Sequence, residues 1–143
     1  MQASSVNEPF ERWLILLRIS IGVIYSWFGI LKFFPGVSPA EELAKETIHL
    51  LTFGYINSDL SLLLLAIWET IIGILMVSGL YSKLVIRMIL LHMIFTFTPL
   101  FLLPGISFTS APPALTLIGQ YIIKNIVIIC ALFVIDTSSK QNG

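Results

Sequence analysis

The stretch LRISIGVIYSWFGILKFF, Leu17–Phe34, decides the fold. It is almost continuously apolar and extends upstream to Trp13, which gives it the roughly 20-residue length that carries a helix across a hydrocarbon core. Within it Arg18, Gly22, Tyr25, Gly29 and Lys32 recur at spacings of four, three, four and three, so one helical face holds all five. Ionised side chains are costly against lipid, and glycines let a second backbone approach closely. The segment therefore reads as a transmembrane helix with this face turned to protein. A packing seam with snorkelling ends accounts for Lys32, close to the outer interface. It does not account for Arg18, which lies well over one turn inside the helix.

Composition agrees over the whole chain. Of 143 residues, 57% are hydrophobic and 11% charged, where soluble domains carry about a quarter charged residues. Four spans are expected, at about 13–34, 60–80, 83–103 and 115–135, in one membrane domain. The fold class is all-α, a transmembrane four-helix bundle. Glycine and proline mark the gaps: Pro35-Gly36, Gly79, Pro104-Gly105 and Pro112-Pro113. The net charge is zero and no basic or acidic tail is present, so nothing points to nucleic acid. The first residues lack the basic region of a cleaved signal, and the first span reads as a retained anchor.

The longest connection is expected to hold a short amphipathic helix over about 38–54. Ser38-Pro39-Ala40-Glu41 reads as an N-cap, a proline at the first helical position and a capping-box glutamate. Leu43, Ala44, Thr47, Ile48 and Leu51 share one face, and Glu41, Glu42, Lys45 and Glu46 fall elsewhere. Such a helix lies on the bundle or in the interface. Arg12, Lys83, Arg87 and Lys140 flank one side of the membrane, against Lys32 and Lys45 on the other. By the positive-inside rule both termini are expected in the cytoplasm. Trp13, Tyr81, Phe33 and Phe34 stand where interfacial aromatics belong.

The second span holds Glu69 near its middle, where a carboxylate must be protonated, paired or wetted. The fourth holds Gln120, Tyr121, Lys124 and Asn125, in which the residues pair at i,i+4. Glu69 and Lys124 each lie about 16 Å from the cytoplasmic end of their helix, and equal depth with opposite charge predicts that they pair. Arg18 is the second candidate partner for Glu69. Two cations sharing one carboxylate would leave surplus positive charge, favouring an anionic or electron-rich ligand such as a quinone carbonyl. Arg18, Tyr25, Lys32, Glu69, Gln120, Tyr121, Lys124 and Asn125 are thus the candidate ligand site or buried polar network. His92, near mid-span in the third helix, reads as a hydrogen-bonded core residue, and no metal site is expected. Cys130 reads as a packing residue, Arg87 as an anchor, and Phe95, Phe97 and Phe101 as lipid or packing contacts. There is no CxxC, P-loop, GxGxxG or paired-histidine spacing.

Three segments in order, LRISIGVIYSWFGILKFFPG, WETIIGILMVSGLYSK and GQYIIKNIVIICALFVI, resemble the DoxX family of small four-helix bacterial membrane proteins over about Arg18 to Ile135. The resemblance implies a bundle in the bacterial inner membrane. The family is named for a subunit of a thiosulfate:quinone oxidoreductase, and relatives are linked to redox and oxidative-stress partners. By position the resemblance implies Arg18, Lys32, Glu69 and Lys124 as site residues. The chain departs from thiol-reducing four-helix enzymes in having no cysteine pair. Three readings follow. The first is a membrane subunit or accessory of a redox system, binding quinone or another lipophilic ligand and taking electrons from a protein partner. The second is a non-catalytic scaffold or assembly factor docking protein partners or a second copy of itself. The third is a small transporter gated by Glu69 and Lys124. The sequence does not assign catalysis to the chain.

Overall fold

The computed structural model describes residues 7–80, 83–109 and 114–141. The expectations placed on Tyr81, on Pro112 and Pro113, and on the side chain of Lys140 lie outside the described residues. Among the described residues seven helices follow in order: α1 Asn7–Leu31, α2 Glu41–Leu51, α3 Ser58–Ser78, α4 Lys83–Thr96, α5 Pro99–Leu102, α6 Pro104–Ser107 and α7 Leu117–Gln141. Among the described residues there is no strand, only an isolated antiparallel bridge between Phe108 and Leu115. Glu8–Leu31, Ser58–Ser78, Lys83–Leu102 and Leu117–Ser138 are each long and apolar enough to cross a membrane. The chain is an all-α, multi-pass membrane protein, and most of each span faces outward, as a bundle dissolved in lipid requires.

Each boundary has a local cause. Helix α1 starts earlier than the apolar run, at Asn7, and ends at Leu31. Beyond that point its backbone tightens to i→i−3 bonds, from Lys32, Phe33 and Phe34 to Gly29, Ile30 and Leu31. Helix α3 opens on Asn57, whose side chain accepts from the Asp59 N–H, and closes on Gly79 at φ +81°. The third span fills the expected stretch, Lys83–Leu102, but its helix is interrupted by a turn at Phe97 and Thr98. Pro99 has no N–H to give the Phe95 carbonyl, and the backbone switches to i→i−3 bonds at Phe97 and Thr98. The Thr96 and Thr98 hydroxyls donate to the Met93 and Phe95 carbonyls. The chain then resumes as α5, and α6 begins on Pro104. Helix α7 runs beyond the expected end at 135, to Gln141.

Helices α1 and α3 form the tightest seam. A Cβ on Gly22 would lie 2.8 Å from the Gly73 carbonyl oxygen and from the Val77 nitrogen, and a Cβ on Gly29 would lie 2.7 Å from the Thr70 nitrogen. On the other side of the seam a Cβ on Gly73 would collide with Ser26. Among lipid tails, packing of this kind replaces the hydrophobic drive that holds soluble helices together. Of the α1 face read from the sequence, Gly22, Tyr25, Gly29 and Lys32 are buried and Arg18 is half-buried. Ile21, Tyr25, Ile72 and Met76 continue into a core with Val85, Ile86, Ile89 and Met93 of α4 and Ala131, Leu132 and Ile135 of α7.

The expected helix over 38–54 is shorter, and its start differs. Ser38 is not its cap: the Ser38 hydroxyl is buried with no hydrogen-bond partner among the described residues, and Ala40 holds the cap position. Glu41 does the work instead, and is buried rather than turned to the polar side. One of its oxygens accepts from the Gly36 N–H at 2.7 Å, the other from Lys45 at 2.8 Å. Lys45 also lies 3.3 Å from Asp59 in the first turn of α3, so the pair pins α2 onto α3. After α2, Phe53 (φ +52°) and Gly54 (φ +77°) turn the chain through the left-handed region, leaving Phe53 and Tyr55 almost fully exposed.

Two measurements check this account. Gly73→Ala should destabilise the protein by about 1–3 kcal/mol through forced separation of α1 and α3, read as thermal unfolding in detergent. Gly105→Ala, where an added Cβ meets nothing within 4 Å, should be near neutral. The Lys45 hydrogen bond, followed by the Gly36 N–H, holds the Glu41 carboxyl below its ordinary value of 4.5. A lowered carboxyl stabilises the fold while ionised, and that contribution is lost as pH falls through the lowered value. The Gly36 amide resonance should therefore shift with a midpoint below pH 4.5, and Glu41→Gln should abolish the shift.

Candidate functional site

Four protonatable side chains from three helices meet in the interior. Lys32 and Glu69 are each only 7% exposed. The Lys32 Nζ lies 2.5 Å from Glu69 Oε2, an intimate ion pair removed from solvent. On the other side of the carboxylate, His92 Nε2 stands 3.7 Å from Oε1, inside strong Coulombic range but longer than a hydrogen bond. His92 Nδ1 is 3.1 Å from the Tyr25 hydroxyl, and the two rings meet edge to face at 5.7 Å. The hydroxyl donating to Nδ1 leaves the imidazole proton on Nε2, directed at Glu69. That tautomer is assigned from the network. The result is a continuous polar run: Lys32, Glu69, His92, Tyr25.

The fold explains how Lys32 reaches a carboxylate at the middle of α3. Its side chain turns back one full turn along α1, and Nζ also donates to the Phe28 carbonyl at 3.3 Å. That carbonyl is free because the Lys32 N–H bonds to Gly29 instead. A cation at the end of a helix also opposes the negative pole of its dipole. Gly29, one turn before Lys32, is the other requirement: a Cβ there would lie 3.0 Å from the Glu69 Cβ. Thr70 backs onto the same glycine, and its hydroxyl is buried with no hydrogen-bond partner among the described residues.

Four expectations are corrected here. Glu69 does not pair with Lys124; the carboxylate is held by Lys32. Lys124 is exposed on the outer surface of α7, with its Nζ 5.1 Å from the centre of the Tyr121 ring. Arg18 is not the second cation on Glu69 either, since its guanidinium donates to the Met76 and Val77 carbonyls. It stands beside Gly79 and thus satisfies the open C-terminal end of α3 from a neighbouring helix. Lys32 is not a snorkelling interfacial charge. With one lysine on one carboxylate, the surplus positive charge expected at the site is absent.

Of the eight residues singled out in the sequence, the structure brings Tyr25, Lys32 and Glu69 together. Asn125 also faces inward, and its amide donates to the Thr96 hydroxyl at 3.0 Å, tying α7 to the end of α4. Gln120, Tyr121 and Lys124 stay outside. His92, read from sequence only as a hydrogen-bonded core residue, is such a residue and also the middle of the cluster. The signal for it was depth. His92 is nine residues past Lys83 and Glu69 ten before Gly79, which puts both about 14–15 Å from the same end of the bundle. Among the described residues no three His, Cys, Asp or Glu side chains gather as a metal-ligand group. Comparison with models of known families, with curated proteins and with solved structures finds no match.

A double-mutant cycle tests the geometry. Lys32→Met alone should cost about 3–5 kcal/mol, because it strands a buried carboxylate. Adding Glu69→Met should recover most of the loss, giving strong coupling in detergent unfolding. Glu69→Met and Lys124→Met should add to within about 0.5 kcal/mol.

Proposed function

We propose that this protein is a DoxX-like membrane subunit of a redox system, binding a quinone or similar lipophilic carbonyl compound at the Lys32–Glu69–His92–Tyr25 cluster. The observation that carries the reading is the cluster itself. Four groups able to give or take protons lie in one run, inside a bundle whose surroundings are hydrocarbon. An intramembrane ionisable residue marks a functional site by default, because a purely structural staple is more cheaply made from apolar side chains.

The donor set fits a neutral ligand. A quinone's carbonyls need hydrogen-bond donors, and the site offers the Lys32 ammonium, the His92 Nε2–H and the Thr70 hydroxyl, which has no partner among the described residues. The balance of one lysine against one carboxylate favours an uncharged ligand over an anion. A bound quinone would supply the electron-accepting chemistry. The part of this chain is to orient the ligand, exclude water and hold protons at Glu69 and His92, with electrons arriving from a partner protein. For location, we place the chain in a bacterial cytoplasmic membrane with both termini inside. Arg12, Lys83 and Arg87 are all exposed at one end.

Native mass spectrometry of protein purified in mild detergent tests the reading. A quinone should accompany the wild type and Lys124→Met, and be lost from Glu69→Gln and His92→Leu. Phospholipid alone in all four, with a protein partner retained, would overturn it in favour of a scaffold.

A further inference from the structure

Gln120, Tyr121 and Lys124 need an account of their own, since the interior cluster does not use them. All three are exposed on α7 among the described residues. Lys124 is seven residues after Leu117, so its Cα lies about 10 Å below the start of the span. Helical side chains lean towards the N-terminus. For Lys124 that direction leads to the membrane surface, over Tyr121 one turn nearer the end, and its Nζ is found 5.1 Å from the Tyr121 ring centre. Among the described residues no carboxylate pairs with Lys124. Deeper along α7, within about 80° of Lys124 around the helix, the surface is apolar at Val127 (70% exposed) and Val134.

We infer that this side of α7 is a binding site for one anionic phospholipid, its headgroup phosphate on Lys124 and its acyl chain along Val127 and Val134. The ligand follows from the order of chemistry down the helix. An ammonium lies at headgroup reach, flanked by the Tyr121 hydroxyl and the Gln120 amide as hydrogen-bond donors, above a hydrocarbon-compatible strip. The Tyr121 face restrains the lysine over its ring, so less side-chain freedom is lost when the phosphate arrives. A net negative lipid is preferred to a zwitterionic one because the latter brings its own cation to an already cationic position.

The test is native mass spectrometry of the full chain with an equal mixture of phosphatidylglycerol and phosphatidylcholine. The wild type should retain phosphatidylglycerol preferentially. Lys124→Met should reduce that preference about fivefold, while Lys124→Arg keeps it. Lys83→Met, at the other end of the bundle, removes one positive charge as well and should leave it unchanged. Equal retention of both lipids by the wild type, a preference that survives Lys124→Met, or the same loss on Lys83→Met would each overturn the site. So would crosslinks at Lys124 between two copies of the chain in place of bound lipid.

Discussion

Everything in the interior depends on how closely α1 and α3 approach. Gly22, Gly29 and Gly73 bring the two backbones within a distance at which no side chain fits. Only at that separation can Lys32, folded back along its own helix, touch a carboxylate on the next. The same proximity lets Arg18 reach the open carbonyls at the end of α3. Both cations of the first span are thereby committed to α3, one to its side-chain charge and one to its backbone. Neither arrangement would survive a helix pair held apart by alanine or valine, because a charge stranded in hydrocarbon costs more than packing can return.

The polar run behaves differently at its two ends. Lys32 stands just beyond the end of α1, in the turn that leads to α2. Tyr25, at the other end, belongs to the apolar core that also holds Ile21, Ile72, Met76, Ile89 and Met93. Towards the Arg18 end of the bundle the interior is closed by fully buried Met76, Ile86, Ile89 and Leu132. A polar run that stops in such a core does not extend across the bundle.

The sequence yielded the helices and the buried face of α1 because both follow from composition and period. Span length, the glycine spacing and Arg18 to Lys32 at fours and threes leave little freedom. The partner of Glu69 was misread for a specific reason. Depth was compared along helix axes, and Lys32, at the outer end by that measure, was set aside. A lysine side chain is about as long as a helical turn, and here it spends that length returning inward. In α7 the difficulty was facing. A span apolar on every side gives no contrast between core and lipid, so Lys124 and Asn125, adjacent in sequence and about 100° apart on the helix, could not be sorted. The structure turns Asn125 inward and Lys124 out. The start of α2 failed on chemistry rather than period, since Ser38 offers a capping signature that Glu41 pre-empts by reaching back to Gly36.

The position of Lys32 also bears on how the chain is made. It follows the last turn of α1, so a first span inserted alone can let this side chain extend to the membrane surface. Glu69 has no such exit, being ten residues from Gly79 and eleven from Ser58. An α3 entering lipid by itself would carry an unpaired acid at its centre, at roughly 2.5–3.5 kcal/mol on insertion scales. Synthesis from the N-terminus delivers the lysine first, already resident when the glutamate emerges. The order of the two charges along the polypeptide is thus the order in which a translocon can accept them, and the ion pair records a dependence of the second insertion on the first.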